Sequence, residues 1–412
     1  MDLLHYSVSR FPTARPLSNF RAPLSRCFFS VRSVVTLPIA EEKAKYHKEL
    51  KAAVDVVERA CRLCVDVKKS LFTSNGSIIE KIDQTPVTIA DFGVQALVSL
   101  EMSKLFPSIP LVAEEDSSFL RSNNLVDAVV GVVTDKATCG DQLSQDDVLE
   151  AIDRGGKDAS VFGTKPATYW VLDPIDGTRG FVKGSEALYV VGLALVVDGE
   201  IVLGVMGCPN WLESYSYTSP LETQAHENTA SRCGILMVSH IGCGTWRKRL
   251  WETHNISGGI PNNWIRCLVD DCQIVHEARY CIQDSQTWDS LPLSAEFSAT
   301  TNAEDVGNNQ ILLVPTCCGS LSKYLMLASG RGSVYILRAK TKLIKSWDHA
   351  VGIICVQEAG GKVTDWRGQK IDFAADEVER RVIFPSGGVL AANESLHTQI
   401  LPMVSKEVSV DG

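Results

Sequence analysis

No stretch of the 412-residue chain stays apolar over the roughly 18 residues that a membrane helix needs, although 45% of its residues are hydrophobic. The chain is therefore expected to be soluble, with no membrane partner. A basic excess is also missing. The formal charge is -9, and residues 1 to 38 hold five arginines against one acid, leaving 35 basic and 48 acidic residues in the remainder, a net -13. An acidic body repels polyanions, so no nucleic-acid partner is expected. Zinc-type spacing is scarce too: Cys61 and Cys64 form a lone C-x-x-C inside an amphipathic pattern, with no second pair at ligand distance. They read as core or surface cysteines. The thirteen cysteines are odd in number and scattered, which argues against a disulfide framework. Internal repeats are absent, and so is low-complexity sequence beyond the leader.

What is present starts with that leader. Arg10, Arg15, Arg21, Arg26 and Arg32 are interspersed with Ser7, Ser9, Ser18, Ser25, Ser30 and Ser33, and Asp2 is the sole acid before Glu41. This is transit-peptide composition, and prolines and arginines break every apolar stretch that could serve as a secretory core. Residues 1–38 are thus expected to target an organelle. Dense arginine and the stretch Arg26-Cys27-Phe28-Phe29-Ser30 favour the mitochondrion, with the plastid as the alternative.

The chain exceeds the usual size of one hydrophobic core, so two subdomains or one large α/β body are the natural expectations, and the turn-rich stretch after 207 places the boundary between halves near 212, as 39–212 and 213–412. Leu50, Val54, Val57, Cys61, Cys64 and Val65 recur at helical steps and predict a helix over about 40–72. Thr88-Ile89-Ala90-Asp91 resembles a capping box opening a second helix, which gives Asp91 a capping role. Residues 120–165 are polar and read as a surface excursion, and residues 240–285 as a second insertion. Two apolar runs flank Asp198-Gly199 and predict a hairpin.

One segment concentrates chemistry. Trp170, Val171 and Leu172 read as a buried strand that Asp173-Pro174 must end, since proline donates no ladder hydrogen bond. Asp173 and Asp176 then emerge at a strand's C-terminal edge, where ligands of open α/β sheets bind. Asp176-Gly177-Thr178 opens a helix, and the Ile175 carbonyl adds a hard oxygen between the two acids. Alone, this is equally a turn and a helix cap. Three further acidic segments accompany it: Lys81-Ile82-Asp83 running to Asp91, Ala113-Glu114-Glu115-Asp116, and Ser346-Trp347-Asp348-His349-Ala350.

Together and in this order, the four segments resemble the lithium-sensitive, magnesium-dependent phosphatase superfamily of inositol monophosphatase, fructose-1,6-bisphosphatase and 3'(2'),5'-bisphosphate nucleotidase, over roughly residues 45 to 400. The resemblance implies an α/β fold, a layered αβαβα sandwich. It implies two or three magnesium ions held by Glu114, Asp173, the Ile175 carbonyl, Asp176 and Asp348, with Asp83 and Thr178 activating the attacking water. Such charge neutralisation is what phosphate-ester hydrolysis requires.

Gly207-Cys208-Pro209-Asn210, Trp347-Asp348-His349-Ala350 and Gly319-Ser320-Leu321-Ser322-Lys323-Tyr324 resemble the bisphosphate nucleotidase branch. That branch implies a small nucleotide bisphosphate as the partner, losing its 3'-phosphate. Gly177, Thr178, Ser320, Lys323, Arg338 and Asp348 would contact the substrate. The branch's histidine near the adenine has no counterpart in Glu296-Phe297-Ser298-Ala299-Thr300-Thr301. The alternatives are an inositol or sugar phosphate phosphatase and a nucleotide sensor without catalysis. Oligomeric state is left open.

Overall fold

The computed structural model describes residues 36–73, 79–80, 86–137, 143–162, 167–183, 187–212, 233–251, 264–293, 312–339 and 343–410. The leader and Asp83 lie outside the described residues.

Helix α1, His47–Thr73, opens the chain's regular structure and carries the predicted apolar stripe. Leu50, Val54, Val57, Cys61 and Cys64 are all fully buried along it, so the C-x-x-C is core. Helix α2, Ile89–Leu105, begins at the predicted capping box: Thr88 is its N-cap and Asp91 closes the box. The segment read as a polar excursion is instead helical, as α3 (Ser118–Asn123), α4 (Val126–Thr134) and α5 (Gln145–Gly155). Val129, Val133, Val148, Leu149 and Ile152 pack with Phe92 and Ala96 of α2 in a satellite core. Short helices bury few residues each, so polar outer faces dominate their composition and hide the stripe.

A seven-stranded sheet follows sequence order: β1 (Leu111–Ala113), β2 (Thr168–Asp176), β3 (Val190–Val197), β4 (Glu200–Cys208), β5 (Ile235–His240), β6 (Gly244–Arg249) and β7 (Ile265–Arg266). Within it only the β1–β2 pair is parallel. The β3–β4 hairpin turns at Asp198-Gly199 with φ of 53° and 83°, the two left-handed residues that a tight primed turn needs. Helix α6, Thr178–Lys183, lies between β2 and β3 in sequence.

The five-stranded sheet runs β9-β8-β10-β12-β11, from β8 (Arg279–Ile282), β9 (Leu312–Pro315), β10 (Val334–Arg338), β11 (Gly361–Asp365) and β12 (Gly388–Asn393). Between the sheets lie α7 (Ser320–Ala328) and α8 (Ala350–Glu358), packed on β2–β6 on one side and on β8, β10 and β11 on the other. α1 and α2 cover the outer face of the larger sheet, and α9 (Glu394–Val410) covers that of the smaller. This is the expected αβαβα sandwich. No helix among the described residues is long and apolar enough to cross a membrane.

The change of sheet falls between Arg266 and Arg279 rather than near 212, because β5 to β7 extend the first sheet by antiparallel pairing. The region read as a second insertion therefore contributes edge strands. Pro174 likewise does not end its strand. Pairing with β3 resumes at Asp176 after a register shift past Asp173, and a proline at such an irregularity removes no ladder bond that the partner needs.

Candidate active site

The register of the parallel pair β1–β2 sets Ala113 beside Leu172, so Glu114, just past the end of β1, comes beside Asp173, which is still within β2 and paired with β3. Asp173 is 2% exposed and Asp176 5%. Their carboxylate oxygens and one from Asp348 lie within 4.8 Å of one another. Glu114, Ile175, Gly177, Thr178 and Ser320 line the same cavity of about 560 Å³.

Asp176 is fixed by the start of α7: Oδ1 accepts from Ser320 N at 2.9 Å and Oδ2 from Leu321 N at 2.9 Å. Gly319 permits this approach, since a Cβ there would fall 1.9 Å from Asp176 Oδ2. The turn into α7 is the adjacent pair Cys317-Cys318, which forms a disulfide and ties no distant segments together. Asp173 Oδ1, in contrast, is buried with no hydrogen-bond donor among the described residues. A lone-pair oxygen left bare inside an acidic cluster is the donor a hard cation would take. Asp348 follows Ser346, which is pinned by Ser346 N to Arg381 O and Ser346 Oγ to Arg380 O, both 2.9 Å.

Electrostatics agree with a cation site. Burial, then the neighbouring Asp176, Glu114, Asp348 and Asp91, push the Asp173 carboxyl well above the usual range. Burial raises Asp176 to about 6 against the pull of Lys323 and the α7 backbone N–H groups. Burial, with Asp176 and Glu114, also raises Asp348, opposed by Lys345. Acids that resist joint ionisation become willing ligands once a divalent ion supplies the missing charge.

The resemblance pairs Thr178 with Asp83, which lies outside the described residues; among the described residues the carboxylate bonded to Thr178 is Asp91. Thr178 Oγ1 lies 3.1 Å from Asp91 Oδ1 and 3.0 Å from Ile175 O, while Asp91 Oδ2 accepts from Thr88 N and Oγ1 at 2.8 and 2.7 Å. Asp91 thus caps α2 and faces the site at once. The capping box is visible in sequence, yet nothing local says that a residue 87 positions away will meet it.

Two expected substrate contacts are placed elsewhere. Lys323 is 1% exposed, and its Nζ donates to Thr316 O at 3.0 Å and Gly319 O at 2.7 Å. It braces the turn that carries Ser320. Arg338 pairs with Glu407 at 2.5 Å and lies over the Trp366 ring, and it is not among the described residues that line the cavity, although its neighbour Leu337 is. Its strand position points it to α9. Ser320 does line the cavity, its Oγ accepting from Tyr335 OH at 3.2 Å. His349 is buried, bonded to Tyr324 OH at 2.8 Å, and burial holds it down at about 3, so it is neutral packing.

Sequence reasoning also missed Arg381. Its guanidinium lies 4.9 Å over the Trp347 ring and donates to Glu114 O at 3.3 Å and Gly156 O at 3.2 Å. It couples the Glu114 segment to the Asp348 segment, 234 positions apart by number, through backbone and ring contacts that leave no sequence trace.

The inositol monophosphatase family model matches residues 45–235 and 266–409. A protein of Arabidopsis thaliana named as a mitochondrial 3'(2'),5'-bisphosphate nucleotidase is 64% identical over 402 residues, covering 96% of this chain and 97% of its own. A 3'(2'),5'-bisphosphate nucleotidase of Oryza sativa is 33% identical over 374 residues, covering 88% of this chain and 95% of that one. Among solved structures, an IMPase of Thermotoga maritima aligns with a TM-score of 0.51 at 18% identity, over 88% of this chain and 99% of that one. That degree of likeness shows the fold.

Proposed function

The chain belongs to the inositol monophosphatase family, and we propose that it is a magnesium-dependent bisphosphate nucleotidase that converts 3'-phosphoadenosine 5'-phosphate to adenosine 5'-phosphate and inorganic phosphate. The observation that carries this reading is the convergence of Asp173, Asp176 and Asp348 within 4.8 Å, with Asp173 Oδ1 bare. Glu114 and the Ile175 carbonyl complete an all-oxygen donor set suited to magnesium. Two or three ions held there would neutralise the phosphoryl oxygens during displacement.

The chain's own residues do the rest. Thr178 Oγ1, bonded to Asp91, accepts a proton from the attacking water and passes its own to the carboxylate, so the pair serves as general base. Gly177, Thr178 and Ser320 line the wall against which the departing phosphate sits. Lys323 keeps Asp176 ionised and the α7 turn closed.

The arginine-rich leader and the mitochondrial name of the Arabidopsis relative support a mitochondrial location. A reporter fused to residues 1–45 should enter mitochondria, and cytosolic fluorescence would count against it. For the activity, phosphate release by the purified chain is measured with magnesium on 3'-phosphoadenosine 5'-phosphate and on inositol 1-phosphate, with and without chelator. Chelator-sensitive release from the nucleotide is expected. Turnover of the inositol ester alone would overturn the substrate assignment.

A further inference from the structure

Glu114 lies just past the end of β1 and Asp348 in the turn before α8, so neither is held within a strand or a helix. We propose that Asp376, which is not among the described residues lining the cavity, is the positioning residue that sets both acids and thereby the affinity of the site for magnesium. The proposal rests on the magnesium reading above and adds to it a residue remote from the chemistry.

The loop between β11 and β12 folds around the Asp376 carboxylate. Oδ1 accepts from Val378 N and Glu379 N, both at 3.2 Å, and Oδ2 accepts from Arg381 N at 2.9 Å and Val382 N at 3.3 Å. Arg380, between these donors, stands at φ 58°, a left-handed conformation that a residue with a long side chain keeps only where its surroundings fix it. Asp376 supplies that fixing, because it holds the amides on either side of the reversed residue. Burial alone would raise its carboxyl, yet the four N–H groups hold it below its ordinary value, so the grip is present at neutral pH.

The loop so fixed frames the acidic cluster from two directions. Val382 and Ile383 pair antiparallel with Lys345 and Ile344, in the segment that leads to Asp348. Ser346 extends the contact, its N donating to Arg381 O and its Oγ to Arg380 O, both at 2.9 Å. Ser346 O in turn accepts from His349 N and Ala350 N across the turn that carries Asp348. On the other side Arg381 donates to Glu114 O at 3.3 Å and to Gly155 O and Gly156 O at 3.3 and 3.2 Å. Val378 O accepts from Phe162 N at 2.8 Å, a further tie to the chain beyond α5. Val378, Arg381 and Val382 thus give Asp376 their N–H groups and make these ties with their other atoms. One carboxylate holds the loop against both segments.

Magnesium tolerates little departure from octahedral geometry, so displaced ligands lower its affinity. Asp376→Asn keeps the size of the side chain but turns one acceptor oxygen into a donor facing backbone N–H groups. The loop then loses part of its grip, and Glu114 and Asp348 lose their common frame.

The test titrates magnesium chloride into the purified full chain by calorimetry, and also follows the magnesium concentration for half-maximal phosphate release. In Asp376→Asn the dissociation constant and the half-maximal concentration should both rise by about 10-fold, with kcat recovered at saturating magnesium. Asp376 is only half-buried and belongs to no core cluster, and melting temperature checks that the variant is folded. Val404→Ala, which opens a cavity in the separate core under α9, controls for lost stability and should leave magnesium affinity unchanged. In Asp376→Asn/Arg381→Ala the rise should be smaller than the product of the two single rises, since both act through one loop. Unchanged affinity in folded Asp376→Asn, an equal loss in Val404→Ala, or single effects that simply multiply would overturn the positioning role and leave the magnesium reading in place. A parent chain that binds no magnesium would overturn that reading, and the positioning role with it.

Discussion

Replacing Lys323 by methionine removes a buried ammonium whose two hydrogen-bond acceptors are Thr316 O and Gly319 O. Gly319 O keeps Ser322 Oγ as a donor at 2.9 Å, so Thr316 O bears the main loss. A hydrogen bond from a charged donor contributes about 1.5–3 kcal/mol. Part of this is offset, since burial works against the lysine's charge and holds its pKa below the ordinary value, with Asp176 pulling the other way. A net loss of about 2 kcal/mol, spread over an unfolding entropy of about 2.1 cal/mol/K per residue, lowers the melting temperature by roughly 2–3 °C. The larger effect is on Asp176, for which Lys323 is the leading attraction opposing its upward push to about 6. Without that charge the carboxyl rises further: one unit more cuts its ionised fraction at pH 7 about twofold, and two units about tenfold. The magnesium concentration for half-maximal phosphate release should rise by the same factor, with KM for the nucleotide changing little. Thermal melting and a magnesium titration of activity measure both. A tenfold rise in KM with unchanged melting and unchanged magnesium requirement would show that Lys323 touches substrate and would refute this reasoning.

Asp91→Asn keeps the capping geometry and removes the proton acceptor, so kcat should fall by about 10²-fold or more while KM moves little. Near-normal kcat in that variant would exclude Asp91 as base. Arg381→Ala should raise the magnesium requirement, because Glu114 and Asp348 lose a shared brace, and Arg381→Lys should not restore it, since an ammonium cannot both stack on Trp347 and reach Glu114 O. Metal and pH are linked as well. With Asp176 at about 6 in the folded chain against an ordinary 3.8, the metal-free fold binds more protons than the unfolded chain between those values. Its contribution to stability therefore declines as pH rises through that window, by about 3 kcal/mol for Asp176 alone. Asp153 and Asp376, whose partial burial is outweighed by hydrogen bonds that hold them low, run the opposite way. The quantity to follow is thus the difference in melting temperature with and without magnesium. That difference should grow from about pH 5 to about pH 7, and a constant difference would sink the linkage.

The acids proposed to hold the metal were legible because each is tied to a local pattern. Asp173 and Asp176 sit around a proline at the end of an apolar strand, Glu114 follows a short apolar run, and Asp348 follows a buried tryptophan. The hairpin at Asp198-Gly199 and the helix capped by Thr88 were legible for the same reason, since turn and cap chemistry act over a few residues.

What only the tertiary structure decided are contacts between distant segments. Asp91 reads as a cap and nothing more until β2 delivers Thr178 to within 3.1 Å of it. Lys323 and Arg338 carry charges that sequence assigns to a ligand, yet the carbonyls of Thr316 and Gly319 and the carboxylate of Glu407 reach them first. Sequence by itself determined which residue types could hold a metal and cleave a phosphate ester. Long-range packing chose which partner each buried or half-buried cation meets, because a charge finds its partner by distance in space.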